Sequence, residues 1–362
     1  MNLSALVHDV AMGIEVGERR RILVSHGQEA IAAITRYLEQ TDGAIAATER
    51  LEDVVKAIFL ALVEDGGAGV ASAIARAQKE IGFFLKYKSY AVKAASPLGY
   101  SVFIQRPREG FSFQRHITHK VEIFHILEAS PDAFVFLCTH DDWRSVFEPA
   151  RFRRWLAGAP DPELEQFRYS PSPGDVFSVD RLNVVHTVFG CVLEEFATVS
   201  TDMVDRLYDQ NDAKAVPPEL SRHYALPILR SLPAVEPTNH VIAMPLTAAS
   251  RFRCEPIPVH ATPWGELRQL SVGPIRARHL IVEAGASTEP ECDTNNAASL
   301  FVRNGKGELA FHGEIPSTLP VTAGDLLMIP PGARWSVSAD PTTRVRLSHH
   351  GLPLRTALCP NE

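Results

Sequence analysis

Histidine, glutamine, lysine and glutamate side chains are concentrated in one short stretch of this chain, Gln114 to His125. Most of the stretch has strand-like character, and side chains alternate between the two faces of a strand. If the strand is straight, one face carries Gln114, His116, Thr118, Lys120 and Glu122, and the other carries His119 and His125. A turn near Thr118 would change this division.

A further histidine, His186, lies in a β-rich run about seventy residues later. Imidazole and carboxylate groups of the first stretch that converge with His186 would provide nitrogen and oxygen donors that suit Zn, Fe(II), Mn or Ni. Three protein ligands leave positions open for water or substrate, as in a catalytic site. The alternative is that these residues are polar surface residues of an edge strand.

Composition limits the class of protein that could contain such a site. The chain has 362 residues, of which 45% are hydrophobic, and its formal charge is 36 − 43 = −7. We expect two domains and, without a basic block, no nucleic-acid partner. The chain contains neither a signal-peptide pattern nor an apolar run of eighteen residues, so we expect a soluble cytoplasmic protein with no membrane contact. The scattered, odd number of cysteines argues against a disulfide framework and against a thiolate zinc site.

The pattern of apolar residues divides the chain into four parts. Residues 1–95 repeat apolar positions at three and four, which predicts a segment of three to five helices. Residues 96–213 contain short β-rich runs separated by Pro, Gly and Asp turns. Residues 214–239 are a proline-rich connection, and the β texture resumes over 240–362.

The two β segments share landmarks. Pro97-Leu98-Gly99 opens the first and Pro263-Trp264-Gly265 opens the second, and the turn Gly174-Asp175 recurs as Gly324-Asp325. Each Gly-Asp turn precedes a β-rich run. The sequence therefore predicts a mainly β protein made of two related sandwich or barrel units, preceded by an α-helical segment.

Two longer patterns in the first β segment resemble the cupin superfamily, and more narrowly the phosphomannose isomerase-like bicupins. The first pattern is Gly110 to His116 followed by His119 to Glu128. The second is Pro173-Gly-Asp-Val-Phe, then His186, then Gly190-Cys-Val-Leu-Glu194-Glu195, then Ser200 to Arg206-Leu-Tyr-Asp209. The resemblance covers roughly residues 96–212, and it implies two jelly-roll β-sandwich units of cupin type.

The resemblance implies that His116, Glu122 and His186 bind one divalent metal ion. Gln114 would be a fourth ligand, as in the isomerases. Cupins usually have a second histidine two residues after the first, where this chain has Thr118. Either Gln114 replaces that ligand, or a bulge turns His119 inward.

The second β segment lacks the same residues. No histidine occurs around Gly285 to Asn296, and Trp335 stands where a cupin would have its last histidine ligand. We therefore expect a degenerate cupin without metal ligands and with a structural role.

The function that the resemblance implies is a metal-dependent isomerase acting on a sugar or sugar phosphate. Lys120, Glu194 and Glu195 are the candidates for proton transfer, and Arg206 would hold an anionic group of the substrate. Arg206 could instead form a surface ion pair. The alternatives are a non-haem Fe(II) oxygenase, which uses two His and one carboxylate, and a non-enzymatic sugar or effector binder. Because cupins commonly pair through their sheets, a homodimer is also expected.

Overall fold

The computed structural model describes residues 91–95, 99–105, 107–108, 110–116, 120–180, 184–198, 204–208, 232–243, 252–292, 298–313, 316–329 and 333–351. The helical segment predicted before residue 91 lies outside these ranges. The prediction is wrong for its last five residues. Ala91–Ala95 forms strand β1, which pairs antiparallel with β2, and not a helix. None of the helices in the described ranges has the length and apolar character of a membrane span.

The first unit is a curved ten-stranded sheet in which β1-β2-β7-β4-β6-β9-β10 are neighbours, β3 joins β7 to β8, and β5 pairs with β4. Its strands are β1 (Ala91–Ala95), β2 (Tyr100–Ile104), β3 (Phe113–His116), β4 (Glu122–Thr139), β5 (Arg168–Tyr169), β6 (Val176–Val179), β7 (Val184–Ala197), β8 (Val204–Tyr208), β9 (His240–Ala243) and β10 (Arg253–Pro256).

Two long strands, β4 and β7, form the centre of this sheet. Each of them joins two short β-rich runs of the sequence through irregular pairing, 121–127 with 133–138 in β4 and 184–188 with 191–196 in β7. At Gly190 in β7 the backbone has φ of 69°, and a Cβ there would collide with Ser130. The bulge bends β7 without ending it, so one strand pairs with β3 at its start and with β2 at its end.

The boundary between the units also differs from the sequence-based expectation. The structure places β9 parallel to β6 and pairs β10 with β9, so residues 240–256 extend the first sheet. A parallel neighbour needs a long crossover connection, and the proline-rich segment supplies that length. The second unit therefore begins at β11, not at residue 240.

The second unit is a sandwich of two antiparallel sheets around an apolar core. One sheet has the order β11-β12-β13-β20-β15-β18 and the other β14-β19-β16-β17. The strands are β11 (Val259–Thr262), β12 (Gly265–Gln269), β13 (Arg276–Val282), β14 (Glu291–Cys292), β15 (Ala298–Asn304), β16 (Lys306–His312), β17 (Ser317–Thr322), β18 (Leu326–Ile329), β19 (Arg334–Ala339) and β20 (Val345–Gly351).

The internal repeat appears in both turns and strand order. The order β2-β7-β4-β6 corresponds to β13-β20-β15-β18, and a Gly-Asp turn precedes β6 and β18. In each turn the aspartate accepts a backbone N–H three residues earlier, 2.8 Å for Asp175 and 2.6 Å for Asp325. The Pro-x-Gly landmarks do not correspond. Gly99 precedes β2, whereas Gly265 opens β12, and in the strand order β12 takes the place of β1 and not of β2.

Three helices between β4 and β5 are not predicted by the sequence analysis: α1 (His140–Val146), α2 (Pro149–Leu156) and α3 (Pro162–Glu165). Their local signals are N-cap side chains, with Thr139 and Asp142 forming a capping box before α1. Glu148 and Asp161 cap α2 and α3, each directly before a proline. The helices pack Trp143, Phe152 and other aromatic side chains against Phe113, which anchors the strand that carries His116.

Candidate metal centre

The three predicted ligands come from three strands of the first unit. His116 is the last residue of β3, Glu122 is the first residue of β4, and His186 is the third residue of β7. The register places Gln114 of β3 opposite His186. The polar stretch is therefore divided between two strands.

These residues, called the triad below, form a compact buried group. Glu122 Oε2 lies 3.2 Å from His116 Nε2 and 3.2 Å from His186 Nε2. The two imidazole centroids are 4.8 Å apart, and the three side chains are at most 1% exposed. Their ligand atoms all lie within 4.8 Å of one another, so the triad could hold a metal ion.

The hydrogen bonding of the triad fits a cation. Within the described residues, His116 Nε2 and Glu122 Oε2 are buried and lack a hydrogen-bond partner. Such atoms are costly to bury unsatisfied, and a cation between them removes that cost. His186 Nδ1 lies 3.4 Å from the carbonyl of Val184. With the proton on Nδ1, the lone pair on Nε2 points into the triad.

The charges also fit metal binding. Burial opposes ionisation of Glu122, but Lys120 and His116 outweigh burial and hold the pKa of Glu122 well below its usual range. Burial lowers the pKa of His186. The carboxylate is therefore ionised and His186 is neutral near pH 7, which are the forms that coordinate metals.

Of the two candidates for a fourth ligand, the structure describes Gln114. Its amide Nε2 lies 3.3 Å from His186 Nε2, and its Oε1 lies 3.3 Å from Ser112 Oγ. Rotation of the amide by 180° would turn the oxygen, which can ligate a metal, toward the triad. His119 lies outside the described residues.

Two candidate proton-transfer residues lie on the triad's side of the sheet. Lys120 is buried, and its Nζ forms an ion pair with Glu122 Oε1. Glu195 is half-buried in β7 and pairs with Phe124, which shares a face of β4 with Glu122. Arg206, in β8, is paired with Gln114 in the register.

Glu194 corrects the sequence analysis. Counting in twos from His186 places Glu194 on the same face of β7, but the bulge at Gly190 reverses the alternation. Val188 before the bulge and Leu193 after it both enter the core of the first unit. Glu194 therefore faces the second unit, where it contacts His125 and His279.

The sequence analysis missed this second group of potential ligands. Glu194 Oε2 lies 2.7 Å from His125 Nδ1 and 3.1 Å from His279 Nε2, and all three side chains are fully buried. His279 belongs to β13, so the second unit does contribute a potential ligand, contrary to the expectation that it has none. The alternation along β4 places His125 on the face opposite Glu122, but the sequence contains no signal that pairs it with His279.

Comparisons with known proteins concern the fold. No protein-family model and no curated protein sequence matches the chain. Among solved structures, mannose 6-phosphate isomerase from Bacillus subtilis has a TM-score of 0.46 and 13% identity over 70% of this chain and 75% of that chain. Oxalate decarboxylase from Lactobacillus farciminis has a TM-score of 0.40 and 11% identity, covering 70% and 77%. The 7S globulin from Momordica charantia has a TM-score of 0.42 and 11% identity, covering 73% and 82%.

The strand order assigns the fold. The two units repeat an antiparallel arrangement of strands, and each unit encloses an apolar core of its own. The chain has a double cupin fold. The two cupin units differ in the side chains that could hold a metal ion. The triad lies wholly in the first cupin, and within the described residues no comparable group is made from the second cupin alone. Trp335 is instead fully buried in the second core.

Replacing His186 with alanine is expected to remove bound metal from the first cupin, because the site loses one of three or four protein ligands. Metal per chain is measured by elemental analysis after dialysis against a divalent ion. His240→Ala, which removes an exposed histidine, serves as the control and should retain the wild-type amount. Trp335→Ala should also retain it. A His186→Ala protein that still binds metal at the wild-type stoichiometry would contradict the assignment.

Proposed function

We propose that this double cupin is a metal-dependent enzyme that interconverts an aldose and a ketose, with a sugar or sugar phosphate as substrate. The observation that carries the proposal is the ion pair between the buried Lys120 and Glu122. Glu122 belongs to the triad, in which His116 Nε2 and Glu122 Oε2 lack a hydrogen-bond partner within the described residues. A buried lysine next to a group of metal-ligating side chains is suited to transfer protons to or from a substrate that is bound at the metal ion. The resemblance of the sequence to the isomerase-like cupins supports the same function.

In this proposal His116, Glu122 and His186 hold one divalent ion, with Gln114 as the fourth ligand. When bound, the ion acts as a Lewis acid for the negative charge that develops on the substrate oxygens during proton transfer. The two oxygens of Glu122 make different contacts. Oε2 faces the two imidazoles, and Oε1 accepts from Lys120. This division fixes the position of the Lys120 ammonium.

Aldose–ketose interconversion removes a proton from one carbon and adds a proton to its neighbour. Lys120 and Glu195 are the two groups that we assign to this task, since they lie on the same side of the sheet as Glu122. As an ammonium, Lys120 delivers a proton, and it accepts one after it has lost its own. Glu195 as a carboxylate accepts a proton directly.

Arg206 is assigned to the anionic part of the substrate. It lies in β8, paired with Gln114, which places it one strand from His186. The planar guanidinium matches two oxygens of a phosphate or carboxylate. This assignment favours a sugar phosphate over a free sugar.

The proposal is tested with metal-loaded protein in deuterated water, without oxygen, against a panel of aldoses and aldose phosphates. We expect a ketose product that carries solvent deuterium on the carbon next to the carbonyl. Mass spectrometry and NMR of the product measure this. Retention of the original hydrogen would indicate transfer shielded from solvent, and absence of any ketose would contradict the proposal.

A non-haem Fe(II) oxygenase is the second candidate, because the triad consists of two histidines and one carboxylate. The same panel is therefore repeated with Fe(II) in air, with an oxygen electrode. Oxygen consumption in proportion to the substrate consumed would favour the oxygenase. Stoichiometric binding of a sugar without turnover under either condition would instead indicate a non-enzymatic binder.

A further inference from the structure

A second cluster of titratable side chains is buried where the two cupin units meet. We call it the interface cluster, and it consists of His125 and Glu194 from the first unit and His279 and Arg303 from the second. Glu194 lies at its centre, with Oε2 2.7 Å from His125 Nδ1 and 3.1 Å from His279 Nε2. The donor types, two imidazoles and one carboxylate, are those of the triad.

The hydrogen bonds of Glu194 identify which atoms carry protons. Oε1 accepts from Tyr100 Oη at 2.8 Å and from Ser348 Oγ. An ionised carboxylate can only accept, so His125 Nδ1, 2.7 Å from Oε2, is the N–H donor of that hydrogen bond.

Arg303 determines which nitrogen of His279 carries the proton. Its Nη1 lies 2.8 Å from His279 Nδ1, and its Nε lies 3.7 Å from Glu194 Oε2. A guanidinium only donates, so His279 Nδ1 must accept and the proton is placed on Nε2. Val235 holds Arg303 in position by accepting from Nη2 through its carbonyl.

The pKa shifts agree with this arrangement. Burial opposes ionisation of Glu194, but Arg303 and His279 outweigh it and hold its pKa well below the usual range. Burial lowers the pKa of His125, and burial together with Arg303 lowers the pKa of His279 to about 3. The cluster therefore contains two neutral imidazoles, one carboxylate and one guanidinium near pH 7. Glu236 lies at its edge, with Oε2 3.5 Å from Arg303 Nη1 and Oε1 2.7 Å from Arg346 Nε.

We propose that the interface cluster is a latent metal site in which the guanidinium of Arg303 replaces the metal ion as the counter-charge of Glu194. While Arg303 is present, its positive charge and its bond to His279 Nδ1 exclude a divalent cation. Without Arg303, His279 can transfer its proton to Nδ1, and the lone pair on Nε2 then faces Glu194. His125 must likewise carry its proton on Nε2, which has no hydrogen-bond partner within the described residues, so that Nδ1 can bind the ion. His125, Glu194 and His279 would then hold one divalent ion. This proposal does not depend on the proposed isomerase activity.

The test compares the wild type with Arg303→Ala, using Co²⁺ and Zn²⁺ as probes. After dialysis against each ion, we expect Arg303→Ala to bind one equivalent per chain more than the wild type. The additional Co²⁺ should give its own visible absorption bands. Zinc should raise the melting temperature of Arg303→Ala by more than it raises that of the wild type, because a ligand that binds only the folded state stabilises it.

Two matched variants test the assignment of the site. Arg303→Lys keeps the positive charge and should bind no additional ion. Arg303→Ala with His279→Gln removes one ligand and should return to the wild-type stoichiometry. Because the readout is a difference between variants, it does not depend on how much metal the triad binds.

Three results would overturn the proposal. If His279→Gln in a chain that retains Arg303 lowers the metal content by one equivalent, the cluster is already an ordinary metal site. A folded Arg303→Ala protein that binds no additional ion shows that Arg303 does not occupy the place of a cation. An Arg303→Ala protein that stays unfolded even with zinc shows that a metal ion cannot replace the guanidinium.

Discussion

Replacing Lys120 with methionine is expected to lower kcat/KM for the aldose–ketose reaction by about 10²- to 10⁴-fold, the usual contribution of a proton-transfer group. Methionine fills a similar buried volume but can neither donate nor accept a proton. Lys120 contacts Glu122 Oε1, whereas the atom that faces the two imidazoles is Oε2. Metal content, measured on the same preparation, is therefore expected to stay at the wild-type level.

Lys306→Met is the matched control for this experiment. Lys306 is exposed and pairs with Asp340 in the second cupin, so its loss should leave kcat/KM unchanged. Full activity of Lys120→Met would remove Lys120 from the mechanism. Loss of metal in parallel with activity would show instead that Lys120 acts by orienting Glu122.

Replacing Glu194 with leucine is expected to lower the free energy of unfolding by about 3–5 kcal/mol, the usual effect of removing one partner of a buried ion pair. The guanidinium of Arg303 would lose the buried carboxylate that lies 3.7 Å from its Nε and would keep only its ion pair with Glu236, 3.5 Å from its Nη1. Tyr100 and His125 would also lose the acceptor of their hydrogen bonds, and His279 would lose the carboxylate 3.1 Å from its Nε2. Urea unfolding, followed by tryptophan fluorescence and circular dichroism, measures the change.

The double variant Glu194→Leu with Arg303→Leu separates charge from packing. Removal of both charged partners leaves no uncompensated ion, so it should be more stable than Glu194→Leu alone. Glu308→Leu, at an exposed position of β16, is the control and should change stability by less than about 0.5 kcal/mol. A Glu194→Leu protein as stable as the wild type would show that the interface cluster does not hold the units together.

Local sequence patterns predict much of the first cupin. Runs of β-branched and aromatic residues locate β2, β4, β6 and β7, because half-buried strands select such side chains. The repeated Gly-Asp turns are predicted correctly because a positive φ and a side-chain acceptor are local requirements, and both turns have them. The three helices are missed, since their signals are single cap residues and not apolar periodicity.

The choice between Glu194 and Glu195 shows where local patterns fail. The two residues are adjacent and chemically identical, so only the face of β7 distinguishes them. That face depends on the bulge at Gly190, which is formed by the pairing of β7 with β4 and not by β7 alone. A shift of one residue exchanges the two carboxylates between the triad side and the interface cluster.

The sequence by itself determines the β class and the double unit, because both follow from residue type and short-range order. The identity of the triad is what its resemblance to the cupins implies. Only the tertiary structure decides which carboxylate faces which cluster and that His279 meets His125. These contacts join residues 69 to 154 positions apart, as in the bonds from Glu194 to His125 and to Ser348. The physical reason is that side-chain direction is inherited from strand register, and register is set by cross-strand pairing over the whole sheet.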